Sequence, residues 1–549
     1  MATVLGINAV FHDPSAALVV DGRIVAAAEE ERFTRRKHGK PPVPFAAWEL
    51  PERAARWCLE AGGVDPADLD AVGYSYDPSL LPPPDGDPTA DGWEDLRTLF
   101  AARAPLFLRT ALPGLDPSVV RFVPHHLAHA ASAWMAAPFP RSAVLVLDGR
   151  GERSSSLAGR GDGARFEPLA SQALPHSIGL LYEEATAHLG FARSSDEYKV
   201  MALAAYGSPR FLPELRRAVR VSPHGGFSVT APDWSALARR REPGEPWGPE
   251  HADLAASVQR RVEEVLLELA RWLHRRTGEP ALAMAGGVAL NCVANSLLAR
   301  EGPFEEVWIQ PAAGDAGTAL GAALYLAGRL GDRPEPMGTA ALGRGWSEEE
   351  LEAWLREAAV PFERPADLPG AVADALARDR IVAWFQGRSE WGPRALGHRS
   401  LLADPRNPRN LDRLNRVKGR EEFRPVAPMV LEQRAAEIFE GGPLPSPYML
   451  FTHRVRPAWR DLIPAVVHVD GTARIQTIDP DREPLVARML RAFEARTGVP
   501  VVVNTSLNTA GRPIVDDPRD ALECFGSAPV DVLAIGPFLV RRATVFGPG

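Results

Sequence analysis

A chain of 549 residues is longer than one hydrophobic core usually fills, so two domains or more are expected. With 45% hydrophobic and 24% charged residues, no apolar run near the roughly 18 residues of a spanning helix and a net charge of −8, the composition argues against a membrane protein and against a general nucleic-acid coat. Three widely separated cysteines, Cys58, Cys292 and Cys524, argue against a disulfide framework; with no basic-then-apolar leader, they point to a reducing cytoplasm.

From the N-terminus, Val4–Asn8 reads as a strand, followed by Ser15–Val20, an Asp21-Gly22 turn and Ile24–Ala28, a pair of successive β-hairpins. Val144–Asp148 repeats the first strand 140 positions later, with Ser155 matching Ser15 and a turn at Gly161-Asp162-Gly163. Two copies of one strand-turn-strand-turn-strand unit, each leading into helical sequence, are what a duplicated actin/Hsp70-like, ribonuclease H-like fold requires.

Just before the second copy stands Pro124-His125-His126-Leu127-Ala128-His129-Ala130. The small, apolar residues that follow favour a helix, and a spacing of four puts His125 and His129 on one face. Asp148 ends the hydrophobic strand and can point its carboxylate into the same cleft; two imidazoles with one or two aspartates suit Fe, Zn or Mn. The competing reading has His126 and His129 capping or packing the helix. Further on, Ala281–Ala285, Gly286-Gly287 and a helix opening at Asn291 form a strand, glycines, helix arrangement in which bare backbone N–H groups can face an anion. Asp315, before the small-residue helix that starts near Thr318, is either an N-cap or a second carboxylate ligand.

The Gly/Pro-rich stretch from about 328 to 345 marks a linker, giving domains 1–329 and 330–549. Beyond it, Glu348–Ala359 and Leu368–Arg378 read as amphipathic helices and Arg380–Phe385 as a buried strand. Residues 388–424 then carry ten Lys/Arg against five acids, among them Arg394, Arg399, Lys418 and Arg424. These cations sit among glycines and prolines instead of pairing with glutamates along a helix, which favours an anion pocket over a solvated basic face. Arg474, and Asn504 with Ser506 after Val501–Val503, add polar groups at strand ends.

Taken together, several segments resemble the O-carbamoyltransferases of the NodU/CmcH type, found in nodulation-factor and antibiotic pathways. They are His12-Asp13-Pro14-Ser15-Ala16-Ala17, Glu29-Glu30-Glu31-Arg32-Phe33, His125–Ala130, Asp196–Met201, Gly286–Asn291, Gly392–Gly397, Phe423-Arg424-Pro425 and Asn504–Asn508. The resemblance runs almost end to end. It implies an actin-like N-terminal lobe pair similar to the tRNA threonylcarbamoyl-transfer proteins, and a YrdC-like α/β C-terminal domain. It further implies that the C-terminal domain uses carbamoyl phosphate and ATP, with Mg(II) accompanying the nucleotide, to make carbamoyl-adenylate. The N-terminal domain would then pass the carbamoyl group to a hydroxyl of a small molecule such as a sugar, an aminoglycoside or a polyketide.

Residue by residue, the resemblance puts Arg394, Arg399, Lys418, Arg424, Arg474, Asn504 and Ser506 around carbamoyl phosphate and nucleotide, and Gly286, Gly287 and Asn291 against the adenylate. His125, His129, Asp148 and Asp315 match its metal ligands, with Fe(II) the expected ion, and His12 or Glu30 is the candidate general base. Ala202 and Ala205, where the family pattern suggests glycine and proline, and Leu507 in place of Phe, point to a different acceptor pocket. Two other classes fit the same domain types: a tRNA-modifying enzyme, disfavoured by the acidic net charge, and an actin-like ATPase acting as a regulator.

Overall fold

The apolar segment Thr3–Asn8 forms β1, antiparallel to β2 (Ser15–Val20), which is antiparallel in turn to β3 (Arg23–Glu29). Asp21 and Gly22 between β2 and β3 both have positive φ, 53° and 77°, as a tight hairpin turn needs. On the other edge of β1 lie β4 (Ala71–Tyr74) and β5 (Val120–Phe122), both parallel, for an order of β3-β2-β1-β4-β5. The computed structural model describes residues 2–39, 49–81 and 92–542.

The second sheet starts with β6 (Arg141–Leu147), β7 (Ser154–Asp162) and β8 (Arg165–Ala173), antiparallel neighbours in sequence. After a small hairpin of β9 (Val219–Val221) and β10 (Phe227–Val229), β11 (Ala281–Ala285) and β12 (Glu306–Ile309) extend the sheet in parallel from β6. Its order, β8-β7-β6-β11-β12, copies both the order and the strand directions of the first sheet. The repeat read from two short strands therefore extends to whole sheets, as the duplicated actin-like fold demands.

One helix joins these sheets around the candidate pocket. A Cβ added to Gly6 on β1 would lie 1.8 Å from the Ala319 carbonyl oxygen, so the helix Ala316–Arg329 presses its backbone directly onto the first sheet. At Gly321 an added Cβ would lie 1.8 Å from the carbonyl oxygen of Ala128, so the same helix is equally close to the helix His125–Trp134. Small residues at the crossing permit this approach, and they bring the start of one helix beside the first turns of the other.

The chain forms two compact units, Met1–Thr339 and Ala340–Gly549. The boundary falls about ten residues beyond the position expected from composition, because the first half of the Gly/Pro-rich stretch is stitched to the N-terminal unit. Ala2 N–H donates to Asp332 at 2.9 Å, Glu335 N–H to the Gly22 carbonyl at 2.9 Å, and Met337 N–H to the Ala136 carbonyl at 2.8 Å.

In the C-terminal unit the sequence-predicted helices span Glu348–Glu357, opened by a Ser347/Glu350 capping box, and Leu368–Ala377. The strands are β13 (Val382–Phe385), β14 (Arg399–Ala403), β15 (Ala427–Leu431), β16 (Phe439–Glu440), β17 (His453–Val455), β18 (Thr472–Ala473), β19 (Gln476–Ile478), β20 (Val501–Ser506), β21 (Val532–Ile535) and β22 (Phe538–Arg541). Seven of them form a mixed sheet, β19-β15-β20-β14-β13-β21-β22, and β16, β17 and β18 form a small second sheet. Its buried core includes Trp384, Phe385, Phe493, Phe525 and Phe538. Where β15 begins and β20 ends, Ala427 pairs with Asn504, and Ser400 of β14 pairs with Ser506.

Candidate metal centre and anion site

The helix His125–Trp134 starts at Pro124 without a side-chain cap, so none of its histidines serves as one. His125 and His129 are completely buried on its inner face, Asp148 follows β6, and Asp315 immediately precedes the helix Ala316–Arg329. Asp315 makes no capping hydrogen bond to that helix, which removes the capping reading of this residue. His125 Nε2 lies 3.5 Å from Asp148 Oδ2 and 3.6 Å from Asp315 Oδ1; His129 Nε2 lies 3.7 and 3.5 Å from the same two oxygens.

Those spacings discriminate between two readings of the cluster. They are too long for good hydrogen bonds, and among the described residues neither Nε2 has a hydrogen-bond partner even though both rings are buried. Donors at about 2.0–2.2 Å from one cation, the usual range for imidazole and carboxylate ligands, would stand roughly 3.3–3.6 Å apart at the corners of a tetrahedron. The four groups therefore fit a shared divalent ion better than a direct ion pair. The other nitrogen of His125 reinforces the fit: Nδ1 donates to the Ser75 carbonyl at 3.2 Å, which leaves the Nε2 lone pair turned toward the carboxylates.

Burial favours the neutral form of both acids, yet the facing imidazoles hold Asp148 well below the ordinary carboxylate range and lower Asp315 as well. Burial also works against a charged His125, but with no cation between them Asp315 and Asp148 outweigh it and push that imidazole well above its usual value, a proton that a bound cation would displace from Nε2; His129, where burial dominates, is pulled down.

Further groups surround these four, and apart from His126 none of them stands in a pattern that the sequence displays. His126 Nε2 lies 3.6 Å from Asp148 Oδ2, while its Nδ1 shares a 2.8 Å hydrogen bond with the Ser154 hydroxyl. Glu152 accepts the backbone N–H groups of His125 and Asp77, each at 2.8 Å, and so pins the helix start. Phe11 packs edge-on against the His125 ring, with centroids 5.3 Å apart, and the Arg97 guanidinium lies 4.8 Å from the centre of the Phe11 ring. The third histidine of the motif was the one available signal; Glu152 lies in an irregular loop and carried none.

The two candidate bases stand in different surroundings. His12 Nε2 is 3.8 Å from Asp315 Oδ2 and its Nδ1 is 2.9 Å from Asp13, with its side chain 35% exposed. Burial lowers its pKa, but Asp315 and then Asp13 outweigh that and raise it to about 10. The Glu30 carboxylate instead accepts the N–H groups of Ala54, at 2.8 Å, and Arg53, at 3.4 Å, in the first turn of the helix Glu52–Gly62. Burial raises its pKa to about 7 despite those hydrogen bonds.

The glycine turn also has a local partner. Gly286, with φ of 92°, turns the chain so that Gly287 N–H donates to Asp148 Oδ1 at 3.0 Å. Asn291 caps the helix Cys292–Glu301 through Ala294 N–H at 3.0 Å and donates to Gln259 at 2.8 Å.

In the C-terminal unit, Lys418 Nζ donates to the Ser506 carbonyl at 2.6 Å and the Ser506 hydroxyl at 2.8 Å, and also bonds to Asn508 Oδ1. Arg424 lies just before β15, whose Ala427 pairs with Asn504, and Arg474 just before β19 on the far side of β15, so the backbone gathers these cations at one end of the sheet. Arg394 belongs to the loop tied to that same end, because Asn504 Nδ2 donates to the neighbouring Ala395 carbonyl at 3.1 Å.

Two residues grouped with them have inward roles. Arg399 is fully buried, stacks 3.7 Å from the Phe385 ring centre, and donates to the carbonyls of Gln386, Arg344 and Gly387 at 2.7, 3.0 and 3.1 Å. Asn504 is buried between Ala395 and Gln476.

Two copies of one five-stranded topology sharing a buried pocket of two imidazoles and two carboxylates define an actin-like lobe pair, here followed by a mixed α/β unit with clustered cations. The chain belongs to the carbamoyltransferase family: residues 3–77 and 111–324 match the model for the carbamoyltransferase N-terminus, and residues 373–542 that for the carbamoyltransferase C-terminus. It is 38% identical to an uncharacterized protein of Synechocystis sp., covering 99% of this chain and 97% of the relative. It is also 38% identical to nodulation protein NolNO of Sinorhizobium fredii, over 98% of this chain and 80% of that one. Nodulation protein NolO of Bradyrhizobium diazoefficiens is 40% identical over 76% of this chain and 78% of that protein. Among the described residues, no helix is long and apolar enough to cross a membrane.

Proposed function

We propose that this carbamoyltransferase is an ATP-dependent O-carbamoyltransferase of the cytoplasm that modifies a hydroxyl of a small secondary metabolite, a sugar, aminoglycoside or polyketide. In the C-terminal unit, water cleaves carbamoyl phosphate to carbamate and phosphate. A carbamate oxygen then attacks the α-phosphorus of ATP, brought in with Mg(II), and pyrophosphate leaves as carbamoyl-adenylate forms. Arg394, Lys418, Arg424 and Arg474 hold the anionic groups, with Ser506 alongside Lys418; fixed cations stabilise the charge that accumulates on phosphate oxygens. Arg399 and Asn504 support this set from behind, through the carbonyls they bind.

In the N-terminal unit, His125, His129, Asp148 and Asp315 hold a divalent cation, for which we propose Fe(II). When bound, such an ion supplies Lewis acidity toward a carbamoyl oxygen. The protein's own residues orient and exclude: Ser75 fixes the His125 tautomer, Gly287 fixes Asp148, and Glu152 holds the first turn of the histidine helix. His12, at the rim beside Asp315, is the group placed to receive the acceptor's proton at an imidazole nitrogen; a cation compensating Asp315 would lower its pKa toward the range a base needs. The alcohol oxygen then bonds to the carbamoyl carbon, and AMP leaves.

The observation that carries this reading is the set of buried, hydrogen-bond-free imidazole nitrogens spaced from two carboxylates as ligands of one ion. Its test is the nucleotide product: with ATP and carbamoyl phosphate the purified chain should release AMP and pyrophosphate. Turnover to ADP and phosphate alone would refute it in favour of an actin-like ATPase.

A further inference from the structure

The loop Gly392–His398 between β13 and β14 has no regular secondary structure, and such segments ordinarily leave their backbone groups to water. This one does not. Glu390 is 2% exposed, and its Oε1 accepts the backbone N–H groups of Leu396, His398 and Arg399 at 2.7, 2.9 and 3.0 Å. The carbonyls of Ala395, Leu396 and Gly397 accept from the side chains of Asn504, Gln476 and Trp384 at 3.1, 2.8 and 2.8 Å. Three strands and one buried carboxylate thus fix the residues that directly follow Arg394, and Gly392 and Gly397, at φ of 103° and 99°, give the loop its bends.

A buried carboxylate is a costly way to hold a loop. Taking the charge out of water is expensive unless several donors compensate, and a neutral side chain could have closed a simple turn. Among the described residues its second oxygen, Oε2, has no hydrogen-bond partner, so the compensation runs through the three N–H groups on Oε1 and the neighbouring His398 and Arg399. Burial alone would neutralise the acid, yet those neighbours keep it ionised. Charge-assisted bonds of this kind are about twice as strong as neutral ones, so the carboxylate makes the loop more rigid than an amide could.

We propose that Glu390 is a positioning residue for anion binding: by clamping the backbone behind Arg394, it holds that guanidinium in the geometry that captures carbamoyl phosphate. Asn504 and Gln476 act in the same way from the sheet side. This inference rests on the reading that the C-terminal unit takes carbamoyl phosphate. It assigns Glu390 no contact with the substrate.

The test is a double-mutant cycle in the full chain, reading the Kd of carbamoyl phosphate by calorimetry and the melting temperature of each protein. Glu390→Gln should weaken binding about tenfold when Arg394 is present, but by no more than about twofold in an Arg394→Ala background. The melting temperature should fall equally in both backgrounds. Equal weakening in the two backgrounds, or none in either, would overturn the clamp while leaving the carbamoyl phosphate reading intact. A wild-type chain that binds no carbamoyl phosphate would overturn both.

Discussion

The two candidate sites pose opposite electrostatic problems, and their polar atoms are arranged differently. Around Asp148 and Asp315 the side chains converge and the Nε2 atoms of His125 and His129 have no hydrogen-bond partner among the described residues, with Nε2 to oxygen spacings of 3.5–3.7 Å. From Ala395 to His398 most backbone groups are tied by side chains, and a fully buried arginine, Arg399, binds carbonyls. A cation pocket is recognised by ligands that decline to bond one another. The proposed anion pocket would need rigid backing, which Glu390, Gln476 and Asn504 are placed to give the loop.

Removing the metal should separate the two candidate sites most strongly. Dialysis against a chelator should lower carbamoyl transfer by about a thousandfold, the scale set by losing several kcal/mol of charge stabilisation, while pyrophosphate release continues. Restoration of product by an added divalent ion checks it; transfer that survives chelation would break the distinction. Next, Arg424→Ala should reduce pyrophosphate formation by about a hundredfold, as expected for loss of a charged contact to a phosphate, with bound metal unchanged by elemental analysis.

A smaller effect concerns pH. Because burial raises Glu30 from 4.5 to about 7, the unfolded chain releases this proton before the folded one does. The resulting stability is fully present below about 4.5 and is lost as pH rises to about 7, by at most about 3 kcal/mol. Glu30→Gln, which can still accept from Ala54, should therefore show a shallower fall in melting temperature across that window. A wild-type slope in the variant would show that this carboxyl is not the source, and with it that the cap is not strained by its charge. Smallest is Gly287→Ala: an added Cβ would stand 3.3 Å from Asp148 Oδ1, tight enough to shift the carboxylate by a few tenths of an ångström. Metal affinity, read by competition with a chelating dye, should weaken several-fold; unchanged affinity would argue that Asp148 is not held by this turn.

How much of this was legible in the sequence differs between the two sites for the same physical reason. Helical spacing and a strand end are local patterns, so His125, His129 and Asp148 could be read directly, and the strand echo between Val4 and Val144 anticipated the duplicated sheets. Asp315 was readable as a cap or a ligand, and only the packing of its helix through Gly321 decides where it points. Residue type could not separate Arg399, which faces carbonyls, from Arg424, since both read as cations in a glycine- and proline-rich stretch. Nor could it show that Gly287 serves Asp148, or that Glu30 closes a helix twenty-two residues downstream, because those partners meet only in the fold.

If adenylate formation and transfer are divided between the two units, the partition of products by His129→Ala shows it. With ATP, carbamoyl phosphate and an accepted alcohol, this variant should release pyrophosphate at close to the wild-type rate, carry no bound metal and form no carbamoylated product. Loss of pyrophosphate release together with transfer, or transfer persisting without metal, would rule out that division.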